Sequence, residues 1–423
     1  MSNKKKLIPA LRFPEFKEDG EWEEKALNEI AILIKTKNLK GTITNVFTNS
    51  AVYGIVDQSD YFDKEIANQK NIENYYIVED GDYVYNPRIS SEAPVGPVSK
   101  NNTGKPGAMS PLYTVFRFLN RNNLFFEYYF TTRHWYNGIL RVANSGARFD
   151  RISITDSALL KIEVFNPGLE EQQKIADCLS SLDDLLAAHN EKLELLKGHK
   201  KGLMQNLFPQ EGERVPKFRF PEFENDGEWE EITLGNICNL VRGPFGGALK
   251  KETFVKEGYA VYEQSHAIHN EFNSFRYYID IENFSKLKRF SVKPGDLIMS
   301  CSGTMGRFAI IQQDFKMGII NQALLKLTVK DHNSNIFVKF LMETENNQSK
   351  LLSQSAGGAI KNVVSVSQIK ELSLLIPSIP EQQKIASCLS AVDDLIKAET
   401  ETIEALKAHK KGLMQGLFPK MEN

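Results

Sequence analysis

Long apolar runs are absent from this 423-residue chain, so no bilayer-spanning helix is expected. No signal-peptide pattern opens the sequence either, and the expected compartment is the cytoplasm. Cysteine is scarce. Cys178, Cys238, Cys301 and Cys388 include no CxxC spacing, which removes a disulfide framework and a cysteine zinc cluster and leaves small buried hydrophobes. His266 and His269 form an HxxH without a nearby cysteine, so no metal site is expected. Catalytic signatures are missing too: there is no HExxH, no G-x-S-x-G and no Walker pair. The glycine segments 145–148, 243–251 and 301–307 lack the GKS or GKT ending of a phosphate loop and the strand-GxGxxG-helix setting of a dinucleotide site. They read as tight turns, or as loops whose small residues let a backbone approach nucleic acid.

A charge excess of either sign is also lacking, with 52 basic against 54 acidic residues and a formal net charge of −2. Bulk charge would argue against a nucleic-acid binder, but local charge is the better test. Lys286, Lys288, Arg289, Lys293 and Arg307 face only Asp296 within 286–307, and Arg141, Arg148 and Arg151 lie close to a single acid, Asp150. The acidity sits elsewhere, in EFKEDGEWEE and EFENDGEWEE.

What the chain does contain is itself, twice. EQQKIADCLSSLDDLLAAHNEKLELLKGHKKGLMQNLF (171–208) returns as EQQKIASCLSAVDDLIKAETETIEALKAHKKGLMQGLF (381–418) without insertion or deletion, at a constant offset of 210 (171 to 381). A chain that repeats itself at this length is two copies of one unit. Each copy lacks internal proline, is rich in helix formers and stops before Pro209 or Pro419, which predicts one long helix. Apolar positions alternate steps of four and three: Ile175, Leu179, Leu182, Leu186, Leu193 and Leu196 in the first copy, Ile385, Leu389, Val392, Ile396, Ile403 and Leu406 in the second. His189 and Glu399 are equivalent polar breaks in this seam. Such a heptad stripe buries itself against another helix, and pairing the two copies antiparallel is the economical solution. That arrangement, turned about a central pseudo-twofold, would make His189 and Glu399 neighbours.

The repeat is longer than the helix. LRFPEFKEDGEWEEKALNEI (11–30) reappears as FRFPEFENDGEWEEITLGNI (218–237), at an offset of 207 (11 to 218). Between these openings and the helices lie bodies, 31–168 and 238–378, that differ more but share landmarks. VEDGDYVYN (78–86) matches VKPGDLIMS (292–300), a Gly-Asp turn feeding a strand; GAMSPLYTVFRF (107–118) matches GIINQALLKLTV (318–329). The expected class is α+β, mixed α/β, with a pseudo-twofold internal repeat. The expected domains are 1–168 and 210–378 as globular bodies, with 169–209 and 379–423 as long helices and tail.

In order and doubled, these features resemble the specificity subunit of type I restriction-modification enzymes. The resemblance spans nearly the whole chain. It implies that each body is a target recognition domain reading one half of a split site in double-stranded DNA. It also implies two methyltransferase subunits docked on the chain, with restriction and translocase subunits recruited through them. S-adenosylmethionine, ATP and Mg would then belong to those partners, and this chain would bind no cofactor, touch no membrane and catalyse nothing. The family's methyl transfer uses an Asn/Asp-Pro-Pro-aromatic motif on a separate subunit. The nearest string here, Asn86-Pro87-Arg88-Ile89, lacks the second proline and the aromatic.

If the bodies read DNA, polar loop residues are the candidates, since Arg can bind guanine and Asn or Gln adenine with two bonds. These are Asn86, Arg88, Arg148 and Arg151 in the first body, and Arg242, Gln264, His266, Arg307, Lys361 and Asn362 in the second. Each can instead be a phosphate contact or a solvated charge. The rival readings are a protein-binding scaffold without DNA specificity, and a stand-alone nuclease or methyltransferase.

Overall fold

A computed structural model describes residues 7–61, 69–120, 124–143, 150–245, 247–330, 332–353 and 365–420. The chain forms two compact units, Met1–His189 with Thr402–Asn423, and Asn190–Glu401, which divide inside the two long helices. Those helices run Leu169–Asn206 and Ile379–Gly416, 38 residues each. Among the described residues no helix is long and apolar enough to cross a membrane.

The first unit contains β1 (Glu23–Ala26), β2 (Ala31–Ile34), β3 (Val46–Ser50), β4 (Gly54–Asp57), β5 (Tyr76–Val78), β6 (Tyr83–Tyr85), β7 (Val98–Lys100), β8 (Gly107–Met109), β9 (Thr114–Phe118) and β10 (Glu163–Asn166). They make the ribbon β1-β10 and two four-stranded sheets, β2-β9-β6-β7 and β4-β3-β8-β5. The second unit repeats the plan with β11 (Glu230–Thr233), β12 (Cys238–Arg242), β13 (Phe254–Val255), β14 (Tyr259–Tyr262), β15 (Tyr278–Ile279), β16 (Leu297–Ser300), β17 (Phe308–Ile310), β18 (Gly318–Ile320), β19 (Leu324–Val329) and β20 (Ser373–Ile376). Its ribbon is β11-β20 and its sheets are β12-β19-β16-β17 and β13-β15-β14-β18. Pairing is antiparallel except for β3 with β8 and β14 with β18, which are parallel.

The Gly-Asp turns explain why β6 and β16 start where they do. Gly81 and Gly295 both hold φ near 84°, open to glycine without a Cβ penalty. The aspartates that follow are buried and tie the turn: Asp82 accepts from the Glu79 amide at 2.8 Å and Asp296 from the Lys293 amide at 2.9 Å. Asp296 therefore belongs to the core, 4.0 Å from Lys326. Burial lowers the pKa of its neighbour Lys326, against the pull of Asp296.

Each body closes its core with the start of one long helix and the end of the other. In the first unit Trp22, Phe116, Phe125 and Tyr129 pack with Ile175, Leu179, Leu417 and Phe418; in the second Trp229, Met299, Leu327 and Phe337 pack with Ile385, Leu389, Leu207 and Phe208. One buried contact repeats at the helix starts. Arg12 donates through Nε and Nη2 to both oxygens of Glu171 at 2.8 Å, and Arg219 does the same to Glu381 at 2.8 and 2.7 Å. The remaining guanidinium nitrogen, Nη1, donates to the carbonyls of Gly20 and Gly227 respectively. The RFPEF arginine and the EQQKIA glutamate thus lock each opening segment to a helix. The helix ends are tied by backbone: Leu11 N donates to Gly416 O at 2.8 Å and Phe218 N to Asn206 O at 2.9 Å.

The seam positions Ile175, Leu179, Leu182, Leu186, His189, Leu193 and Leu196, with Ile385, Leu389, Val392, Ile396, Glu399, Ile403 and Leu406, are all buried or half-buried. In the second unit Lys192 pairs with Glu399 at 2.8 Å and Lys200 with Asp393 at 2.6 Å. Rising on one helix while falling on the other, these pairs run antiparallel. In the first unit Lys410 pairs with Asp183, the equivalents of Lys200 and Asp393. Tyr128 also donates to Asp183 at 2.9 Å beneath Lys410, where the second unit sets Phe340 beneath Lys200.

Removing half of the buried clamp leaves a charge without its partner. Arg219→Leu is expected to destabilise the second unit by about 3–5 kcal/mol, whereas Arg219→Leu with Glu381→Leu is expected to restore most of that loss. Thermal unfolding of the single and double variants checks this.

Candidate nucleic-acid interface

In the first body, β6 leads into the loop that carries Asn86 and Arg88. Asn86 is spent on building it: its Nδ2 donates to Asn49 O at 2.9 Å and its Oδ1 accepts from the Arg88 amide at 3.0 Å. The loop returns past Gly96, at φ 81°, where a Cβ would come 2.0 Å from Asn86 O. Only glycine fits there. Arg88 is exposed and forms an antiparallel bridge with Arg151, flanked by Ile89 N to Asp150 O at 3.0 Å and Ile152 N to Pro87 O at 2.9 Å. Two candidates far apart in sequence thus become neighbours. Arg148 lies outside the described residues.

The same corner in the second body follows β16. Ser300 occupies the position of Asn86 and also shapes its loop, donating to Thr304 O at 2.6 Å and accepting from the Arg307 amide at 3.0 Å. The Arg307 side chain is exposed and lines a 680 Å³ cavity with Lys197, Lys200, Lys201 and Lys339. Lys339 pairs with Glu343 at 3.0 Å and Lys201 lies 4.0 Å from Glu345, while Arg307 joins no ion pair among the described residues.

Gln264 opens the helix Gln264–His269, and its Oε1 accepts from Ser302 Oγ at 3.0 Å, joining the β14 corner to the glycine loop. His266 is buried. Its Nδ1 accepts from the Glu263 amide at 2.8 Å and its Nε2 lies 3.0 Å from Ser274 O, with Phe275 stacked 4.7 Å away, so this imidazole holds a corner together. Arg242 ends β12 beside Phe245, and its Nε and Nη1 are buried with no hydrogen-bond partner among the described residues. Lys361 and Asn362 lie outside the described residues. Burial pushes the Cys301 thiol up to about 11 and that of Cys238 up to about 12, as suits small core residues. Among the described residues no group of three or more His, Cys, Asp or Glu could hold a metal.

Sequence reasoning had no signal for Ser302, Asn321 or Arg276, which stand around Gln264 only once β14, β15, β16 and β18 are assembled. A family described as Type I restriction modification DNA specificity domain matches residues 19–197 and again 226–408. The protein of Methanocaldococcus jannaschii named "Putative type I restriction enzyme MjaX specificity subunit" is 26% identical over 358 residues, covering 84% of this chain and 81% of its own. The MjaVIII type I restriction enzyme specificity subunit of the same organism is 23% identical, over 61% of each. Among solved structures, the type I restriction-modification S subunit of M. genitalium superposes with a TM-score of 0.57 at 15% identity, over 98% of this chain and 100% of its own. A chain from a study of complex assembly and conformational transition in the type I R-M system gives 0.55 at 15%, over 94% and 97%.

The two kinds of candidate separate by experiment. Asn86→Ala removes the two hydrogen bonds that shape its loop and is expected to lower stability by about 1–2 kcal/mol, whereas Arg307→Ala is expected to stay within about 0.5 kcal/mol of the parent. Thermal unfolding distinguishes them, and Arg307→Ala should weaken binding to duplex DNA and flatten its salt dependence.

Proposed function

The chain belongs to the type I restriction modification DNA specificity family, and from that premise we propose that it gives a type I restriction-modification complex its DNA address. One body reads each half of a bipartite site. The carrying observation is that one clamp, one turn and one helix end occur twice, while the loops mounted on them differ: Asn86 stands where Ser300 stands, and Arg88 where Ser302 stands. An identical frame around unlike loops suits two related tasks on different half-sites. Arg88, Arg151, Gln264 and Arg307 are the readers or phosphate contacts this geometry favours, and Asn86 and His266 serve to hold loops.

The same repetition supports two equivalent docking positions, one for each of two methyltransferase subunits, through which restriction and translocase subunits join. S-adenosylmethionine, ATP and Mg act on those partners, and this chain contributes specificity without catalysis. The helices act as a ruler: 38 residues at roughly 1.5 Å each span about 57 Å, comparable with one to two turns of DNA at about 34 Å per turn.

Exchanging residues 31–168 for the matching body of a relative should change one half of the methylated motif and leave the other intact. Methylome sequencing of cells expressing the variant with its modification subunit reads this out, and a change in both halves would sink the two-body reading. Whole helical turns added near Ala188 should lengthen the unspecified gap and leave both half-sites unaltered. An unchanged gap in an active variant would count against the ruler.

A further inference from the structure

In the second body a cleft of 480 Å³ opens beside the helix Gln264–His269, lined by Glu263, Gln264, Arg276 and Asn321 among others. Its polar groups are not free to point either way. The carbonyl of Gln264 is held by the Ser302 hydroxyl at 3.0 Å, and that of Asn321 by the Ala323 amide at 3.0 Å. Each carbonyl is thus turned toward a protein donor that takes one of its two lone pairs, and the NH2 beside it is left over. Neither NH2 donates to a protein group among the described residues. Gly303, at φ 63°, lies beside that amide: a Cβ there would stand 3.5 Å from Gln264 Nε2, in ordinary contact. Arg276 adds a third set of donors, exposed, with its guanidinium 4.9 Å over the Tyr277 ring. Glu263 adds a carboxylate acceptor to the same lining.

Guanine shows the major groove two acceptors, N7 and O6, and its cytosine partner one donor, N4; adenine interleaves a donor, N6, between acceptors. A glutamine with a free carbonyl can grip adenine. With that carbonyl drawn toward Ser302, Gln264 leads with its NH2, which suits the guanine acceptors and opposes the adenine N6 donor. We propose that this cleft makes the second body specific for a G·C pair, with Gln264, Asn321 and Arg276 donating to guanine and Glu263 accepting from cytosine N4. This rests on the bodies being DNA readers. It assigns specificity roles to Arg276, Asn321, Ser302 and Glu263, and reverses the adenine preference that an unheld Gln264 would have.

The test uses the full chain with its modification subunit, after body exchange has shown which half-site belongs to 238–378. That half-site should contain a G·C pair at which 7-deazaguanine, lacking the N7 acceptor, weakens binding about tenfold or more. The same substitution should cost Gln264→Ala less than about twofold, because the contact is already gone. Ser302→Ala frees the Gln264 carbonyl and should narrow the preference for guanine over adenine at that pair. A half-site without G·C, or equal 7-deazaguanine losses in parent and Gln264→Ala, overturns the assignment. So does a methylphosphonate effect at the cleft with none from 7-deazaguanine, which would mean the donors hold phosphate. Should Gln264→Ala not fold, insensitivity of the parent to 7-deazaguanine at every guanine of the half-site still overturns it. Absence of any split methylated motif would instead defeat the DNA-reading premise itself.

Discussion

The structure depends on a buried guanidinium meeting a buried carboxylate where body and helix join. Arg12 with Glu171, and Arg219 with Glu381, are each nearly sealed from solvent, with side chains 6% and 3% exposed in one pair and 7% and 1% in the other. The hydrogen bonds that each guanidinium donates to its carboxylate raise the pKa of both arginines above their usual value, so the guanidinium charge persists. Charge buried this deeply contributes less to net stability than apolar packing of equal volume would. What it supplies is direction: two parallel N–H···O bonds and a third to a backbone carbonyl admit one orientation of the opening segment on the helix. A hydrophobic contact in the same place would tolerate sliding.

Much of this frame was legible in the sequence because it is periodic or doubled. The helices follow from a four-three apolar spacing, and the strands β6 and β16 from the Gly-Asp turns that start them. RFPEF and EQQKIA were visible as motifs, but their mutual contact was not, since 159 residues separate Arg12 from Glu171 and no local pattern reports a tertiary ion pair. The same limit explains the site. Asn86 and His266 have the side chains of DNA readers, yet their hydrogen-bonding groups point inward, toward Asn49 O and Arg88 N in one case and Glu263 N and Ser274 O in the other. Residue type offered chemistry; only the fold decided which atoms were already spoken for.

The repeat is also imperfect in informative places. Trp229 Nε1 reaches Glu381 at 3.4 Å, while Trp22 Nε1 is buried with no hydrogen-bond partner among the described residues. The Tyr128 hydroxyl adds a donor to Asp183 where Phe340 has none to give. Lys192 and Glu399 form an ion pair, and their counterparts by the repeat are Thr402 and His189. These differences leave the Arg–Glu clamp and the Lys–Asp pairs in place, so the frame absorbs them.

That separation between frame and loops bears on how such a protein acquires a new target. Clamp, turn and helix ion-pair contacts lie in the opening segments, in the aspartates before β6 and β16, and along the helices; the loops after those strands join none of those contacts, although Cys301 and Met305 pack on the second core. A change at Ser302 or Gln264 alters which hydrogen-bond atoms face the cleft without touching Arg219, Glu381 or the core around Trp229. Redirecting a lone pair costs at most one hydrogen bond, about 0.5–1.5 kcal/mol net, against the roughly 3–5 kcal/mol at stake in the clamp. The groups that hold the frame and those proposed to read DNA are different residues, so the second can change while the first stay, and the Ser302 hydroxyl is the group that sets which way the Gln264 carbonyl turns.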